Sequence, residues 1–131
     1  MKKAGWIMTA LFALFMLGAS VAPKFAGARA AIDSVVALGW PPKYLLLIGL
    51  MELAFVVLFV IPRTSLIGAV LMTGLLGGAI ASQLRAESPL FSHTLFGIYL
   101  GAFMWLALWL RDPELRMYFR RSTPWNSVPF R

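Results

Sequence analysis

A single acid in the middle of an apolar run constrains this chain more than any other feature. From Tyr44 to Ile61 stand 18 residues of which Glu52 alone is charged at neutral pH. As a helix that run spans ~27 Å at ~1.5 Å per residue, enough to cross the hydrocarbon core of a bilayer. Glu52 would then lie near the midplane, where an unpaired charge costs about 3 kcal/mol even on lenient insertion scales. It must therefore be protonated, paired or turned towards a polar cavity.

Three further apolar runs, Ala4–Ala22, Leu66–Ser82 and Thr94–Leu110, contain no charge. None shows the strict alternation of a barrel strand, so each satisfies its backbone as a helix. The expected fold is all-α, a single integral membrane domain over residues 1–131. Its four transmembrane helices fall at about residues 4–22, 44–61, 66–83 and 93–110, and a basic cytoplasmic tail follows over 111–131. With 60% hydrophobic and only 13% charged residues, a soluble globule would expose far too much apolar surface.

The connections agree with this reading. Pro62-Arg63-Thr64-Ser65 stops the second helix, and Thr64 or Ser65 is placed to cap the third. Between Pro23 and Pro41, the spacing of Phe25, Ala28, Ile32, Val35 and Val36 predicts an interfacial amphipathic helix that ends at Gly39 and Trp40-Pro41-Pro42. Lys2, Lys3, the apolar run and Ala26-Gly27-Ala28 have the outline of a secretory signal, but the run is longer than a signal core, which favours an uncleaved first helix.

Lys2, Lys3, Arg63, Arg111, Arg116, Arg120, Arg121 and Arg131 fall on one side of a four-span topology, and Lys24, Arg29, Lys43 and Arg85 on the other. The positive-inside rule places both termini in the cytoplasm of a bacterial-type inner membrane. Trp40, Tyr44, Trp109, Tyr118 and Trp125 fall at the boundaries as interfacial anchors. The tail, with Leu115, Tyr118, Phe119 and Phe130 among its arginines, reads as a segment for anionic lipid. The net charge of +7 therefore points to the bilayer and not to nucleic acid.

Close helix packing is expected where small residues recur every four positions: Gly74, Gly78 and Ser82 on the third helix, and Gly97 and Gly101 on the fourth. On the second helix, Gly49 lies one turn from Glu52 and opens room beside the carboxylate. The polar groups that could meet Glu52 are Thr9, Thr73, Gln83, Tyr99 and Lys24, the last if its long stem reaches inward. His93 alone supplies no haem ligation and reads as an interfacial residue. The absence of cysteine excludes thiol exchange, iron–sulfur clusters and thiolate zinc sites. No phosphate-binding loop, activated nucleophile or metal-ligand cluster is present.

Leu38-Gly39-Trp40-Pro41, Ile48-Gly49-Leu50-Met51-Glu52-Leu53 and Gly77-Gly78-Ala79-Ile80-Ala81-Ser82-Gln83 together resemble the DoxX-like family of small four-helix membrane proteins. The resemblance covers roughly residues 6–112. It matches Lys24 to a lysine after helix one, Gly49 and Glu52 to a Gly-x-x-Glu in helix two, and Gln83 to a polar position that is often histidine. The glutamine removes a titratable group from that position. The resemblance implies an accessory or ligand-binding subunit of a quinone-linked or oxidative-stress system, with a quinone or lipid as ligand and no intrinsic cofactor. With no cysteine, haem ligation or flavin motif, the chain is expected to borrow its electron chemistry from a redox partner protein, as an oxidoreductase subunit rather than an enzyme on its own. A second copy of the chain is the other expected partner. The expected ligand site is Glu52 with Gly49, Lys24, Gln83 and Tyr99. Two other readings stay open. One is a small proton-coupled transporter resembling the small multidrug resistance proteins, whose acid lies in helix one. The other is an assembly factor in which Glu52 only holds helices together.

Overall fold

The computed structural model describes residues 1–121, with the side chain of Arg121 left aside. Trp125, Phe130 and Arg131, read above as parts of the tail, lie outside the described residues. Among the described residues there is no strand, and four helices are long and apolar enough to cross a membrane: α1 (Lys2–Phe25), α3 (Pro42–Val60), α4 (Ser65–Arg85) and α5 (Leu90–Arg111). Two short helices complete the described residues, α2 (Arg29–Ala37) between the first two spans and α6 (Pro113–Arg121) after the last. The expected all-α bundle of four spans is what the chain forms. In cross-section α1 packs against α5 and α3, and α4 closes the ring between those two.

α1 runs further than the proline suggested. Its middle is π-helical over Met16–Val21, after which α-helix resumes through Pro23 to Phe25. Proline has no N–H and its ring crowds the carbonyl four residues back, so a widened turn upstream lets the helix pass through it. Phe25 and Ala28, expected in the interfacial helix, lie outside it: Phe25 ends α1 and Ala28 immediately precedes α2. α2 begins at Arg29 and ends at Ala37, and the turn just beyond it passes through Gly39, whose φ of +83° suits only glycine without strain.

The turn between α3 and α4 also differs in detail. Thr64 and Ser65 do not cap α4 with their side chains. Both hydroxyls point back, Thr64 donating to the Leu58 carbonyl at 2.8 Å and Ser65 to that of Ile61 at 2.8 Å. They satisfy carbonyls that the end of α3 leaves without helical donors.

The core lies in the half of the bundle nearest this turn. Phe12, Phe59, Ala69, Met72, Met104, Ala107 and Leu108 are essentially without exposure there, and Phe12 meets Phe59 edge-on at 5.5 Å between ring centroids. Two glycines permit the approach. A Cβ on Gly68 would collide with the Phe59 backbone nitrogen, and one on Gly5 with that of Arg111. The expected glycine ridge of α4 behaves otherwise. A Cβ on Gly74 or Gly78 would meet nothing within 4 Å, so these two do not pack against a neighbouring helix. α3 and α4 touch at Gly68 and part towards the other end, which leaves the ridge facing open space. On α5, a Cβ on Gly97 would collide with Ile80 at 2.8 Å, and one on Gly101 would make ordinary contact with Leu76 at 3.8 Å.

Candidate ligand site

Where α3 and α4 part, α1 supplies the polar residues. Ser20 sits in the π-helical segment and Lys24 one turn later, both turned towards α3. The Lys24 ammonium lies 3.2 Å from each oxygen of Glu52, and the two side chains are 15% and 10% exposed. Lys24 also donates to the Ser20 hydroxyl at 2.7 Å and to the Ser20 carbonyl at 3.2 Å, while the Ser20 hydroxyl donates to Glu52 Oε2 at 2.8 Å. The acid within α3 is thus paired, and its charge is balanced by Lys24. Gly49 makes the pairing possible, because a Cβ there would come within 3.1 Å of Lys24 Cβ.

Two cavities meet at this triad. The larger, of about 940 Å³, lies between α3 and α4 under α2 and is mostly apolar. Leu47, Met51 and Phe55 form one wall, Leu71, Gly74 and Gly78 the other, and Lys24 with Glu52 its polar end. α2 covers it with Ala31, Ser34, Val35 and Leu38. Arg85 holds this cover in place, donating to the Leu38 carbonyl at 2.9 Å, and Trp40 donates to the Ser82 hydroxyl at 3.2 Å. The smaller cavity, of about 230 Å³, lies between α1, α4 and α5, with Gln83, His93 and Thr94 towards the Lys24 end of the bundle and Ser20 and Glu52 deeper.

Of the residues singled out in the sequence, Glu52, Lys24 and Gly49 come together, and Gln83 stands on the wall of the smaller cavity. Tyr99 does not join them. It is 51% exposed and lines neither cavity, because α5 turns Phe96, Gly97 and Leu100 inward instead. Thr9 and Thr73 are occupied elsewhere, Thr9 donating to the Gly5 carbonyl and Thr73 bonding Ala69 and Trp105. Ser20 escaped the sequence reading, since a lone serine beside Gly18 and Ala19 looks like one more small residue. The spacing Ser20-x-x-x-Lys24, one helical turn, was the available signal.

A second buried cation lies at the opposite end. Arg111 is only 5% exposed, although its place at the edge of an apolar run made it look like a flanking charge. Its guanidinium sits 4.5 Å from the ring centroids of both Trp6 and Phe59, and Nη2 donates to the Phe59 carbonyl and, at 2.6 Å, to the Ser65 hydroxyl. Nη1 has no hydrogen-bond partner among the described residues. A cation beside the last carbonyls of α3 is favoured by the helix dipole, and the two rings offer it their negative faces.

Among the described residues no group of three histidine, cysteine or acidic side chains could hold a metal ion. A family model described as the DoxX-like family matches residues 7–107. The chain belongs to the DoxX-like family. The match reaches into all four spans and contains the residues of both cavities and the triad of this DoxX-like protein. Neither a curated protein nor a solved structure matches the chain.

Proposed function

We propose that this DoxX-like protein binds an uncharged, lipid-soluble amphiphile of the quinone type, as an accessory subunit of a membrane redox system. The carrying observation is a charge-balanced Lys24–Glu52–Ser20 triad at the end of an apolar cavity of about 940 Å³. That volume falls within the ordinary range of small-molecule sites.

The chemistry of the triad favours a neutral ligand. Lys24 directs its three protons to the Ser20 carbonyl, the Ser20 hydroxyl and Glu52, so neither charge is left over. An ionic headgroup would bring an uncompensated charge to mid-bilayer depth at a cost of about 3 kcal/mol. A quinone carbonyl can instead take the place of the Ser20 hydroxyl as acceptor from Lys24, with its ring against Met51 and Phe55 and its tail along Leu71 and Leu47. A quinone-type ligand would bring its own redox chemistry, and the residues here would bind and orient it.

One-sided access supports a binding role over transport. The half of the bundle around Arg111 is filled by Phe12, Met72, Met104 and Leu108, whereas both cavities lie at the Lys24 end. The excess of basic residues at the Arg111 end and the amino terminus supports an orientation with that end towards the cytoplasm of a bacterial-type inner membrane.

Native mass spectrometry of gently extracted protein tests the reading. The wild type is expected to carry a neutral adduct that Lys24→Met loses while keeping its helicity. Retention of charged phospholipid alone, equally by both proteins, would overturn it.

A further inference from the structure

The two cavities share a wall and differ in character. Met16, Ala19, Ser20, Glu52, Leu76 and Ala79 line both. Beyond that wall the larger cavity continues into apolar side chains under α2. The smaller continues past Ile80 and Leu100 to Thr94, Gln83 and the exposed His93 at the start of α5. Polar groups therefore stand at both of its ends, Ser20 and Glu52 inside and Gln83, His93 and Thr94 outside. Its volume of about 230 Å³ has room for several waters, each with a share of liquid volume of ~30 Å³. Buried water needs two to four polar partners, and both ends supply them.

We propose that the smaller cavity is a water-filled vestibule giving the Ser20–Glu52 end of the triad its own aqueous access, separate from the cavity that holds the ligand. This rests on the ligand reading above only for its purpose and not for its existence. When the redox partner delivers two electrons to a quinone bound against Lys24, the two protons that complete the quinol reach it from the water outside while the ligand stays in place, because proton and ligand arrive by different openings. The ionisable groups around Glu52 fit this division of labour. Lys24 pairs with it from α1, His93 stands across the vestibule on α5, and Tyr44 lies on the ligand side at the start of α3, while α4 contributes only the neutral Gln83. His93 bonds the Ser92 hydroxyl at the mouth, where protons would enter.

The chain has no cysteine, so a single introduced thiol is the only one that reacts. Ile80→Cys and Leu100→Cys place it on walls of the smaller cavity alone, and Ile98→Cys places it on the lipid face of α5, where Ile98 is half exposed. Silver ion is added in water to protein in membranes, and the thiols left unreacted are counted with maleimide after denaturation. Ile80→Cys and Leu100→Cys should be consumed at least tenfold faster than Ile98→Cys, with or without saturating decylubiquinone. Protection by the quinone would show one common cavity and overturn the separate route. Rates no faster than that of Ile98→Cys, in variants of native helicity and elution, would overturn the vestibule itself. Quinone binding is followed on the same samples by tryptophan quenching. Fast silver reaction with no quinone binding would therefore sink the ligand reading and leave the vestibule standing.

Discussion

Each end of this bundle buries one basic side chain, and the two are held in opposite ways. At one end Arg111 is clamped between the rings of Trp6 and Phe59, with its Nη2 on a backbone carbonyl and the Ser65 hydroxyl, and among the described residues no carboxylate forms an ion pair with it. At the other, Lys24 has a carboxylate, a hydroxyl and a carbonyl, and the open space of the larger cavity beside it. The planar fork of arginine stacks and bonds at once, which suits a fixed junction. The flexible stem of lysine lets its ammonium change partners without moving a helix, which suits a site where something comes and goes. A buried charge in a membrane protein thus carries two distinct messages, and the space around it tells them apart.

The largest expected effect is at the closed end. Arg111→Ala leaves the Phe59 carbonyl and the Ser65 hydroxyl without this donor and opens a hole between two rings, so stability in detergent should fall by about 3 kcal/mol. Arg111→Lys should recover less than half of that, because an ammonium cannot stack flat and bond the turn together. Thermal unfolding followed by circular dichroism reads both, and an unchanged midpoint for Arg111→Ala would break the comparison.

Glycines give the next contrast. Gly68→Ala puts a methyl group into the Phe59 backbone and should cost about 2 kcal/mol. Gly78→Ala meets open space and should be neutral or stabilise by up to about 1 kcal/mol through helix propensity. Gly78→Leu should keep the fold while filling the larger cavity, and so abolish quinone-dependent tryptophan quenching. Equal destabilisation by Gly68→Ala and Gly78→Ala would mean that α3 and α4 run at even spacing.

Glu52→Gln should cost less, about 1 to 2 kcal/mol, because the released Lys24 can reach water along its own stem. Its sharper consequence is the loss of ligand with retained fold, read by native mass spectrometry. A Gln variant that keeps its ligand would leave Glu52 as a helix tie. Ser20→Ala should be the mildest change, about 1 kcal/mol, as it removes one hydroxyl and leaves the ion pair.

How much of this stood in the sequence differs between the two ends for the same reason. Glu52 was legible because a charge inside an apolar run contradicts its surroundings, and Gly49 one turn away marked where a partner fits. Arg111 was illegible because a basic residue at the end of a span is what the membrane boundary itself predicts, and nothing local says that Trp6, about a hundred residues earlier, will cover it. Gly74 and Gly78 misled in the opposite direction. Their spacing is that of a packing ridge, yet whether a ridge meets a helix or a void depends on the angle between spans, which is set elsewhere, at Gly68 and Phe59. The four spans themselves needed only length and hydropathy, whereas the continuation of α1 through Pro23 depended on a π-helical turn that no residue spacing announces.

That contact at Gly68 gives α3 and α4 the mechanics of a lever. Gly78 lies ten residues further along α4, ~15 Å from the pivot at ~1.5 Å per residue, so a tilt of about 5° moves the helix there by about 1.3 Å. A methyl group's worth of rearrangement at the pivot therefore becomes a methyl group's worth of width in the cavity. Two relatives that keep Lys24 and Glu52 but differ in bulk at positions 59 or 68 should accept ligands of different thickness without a single change among the residues that touch them.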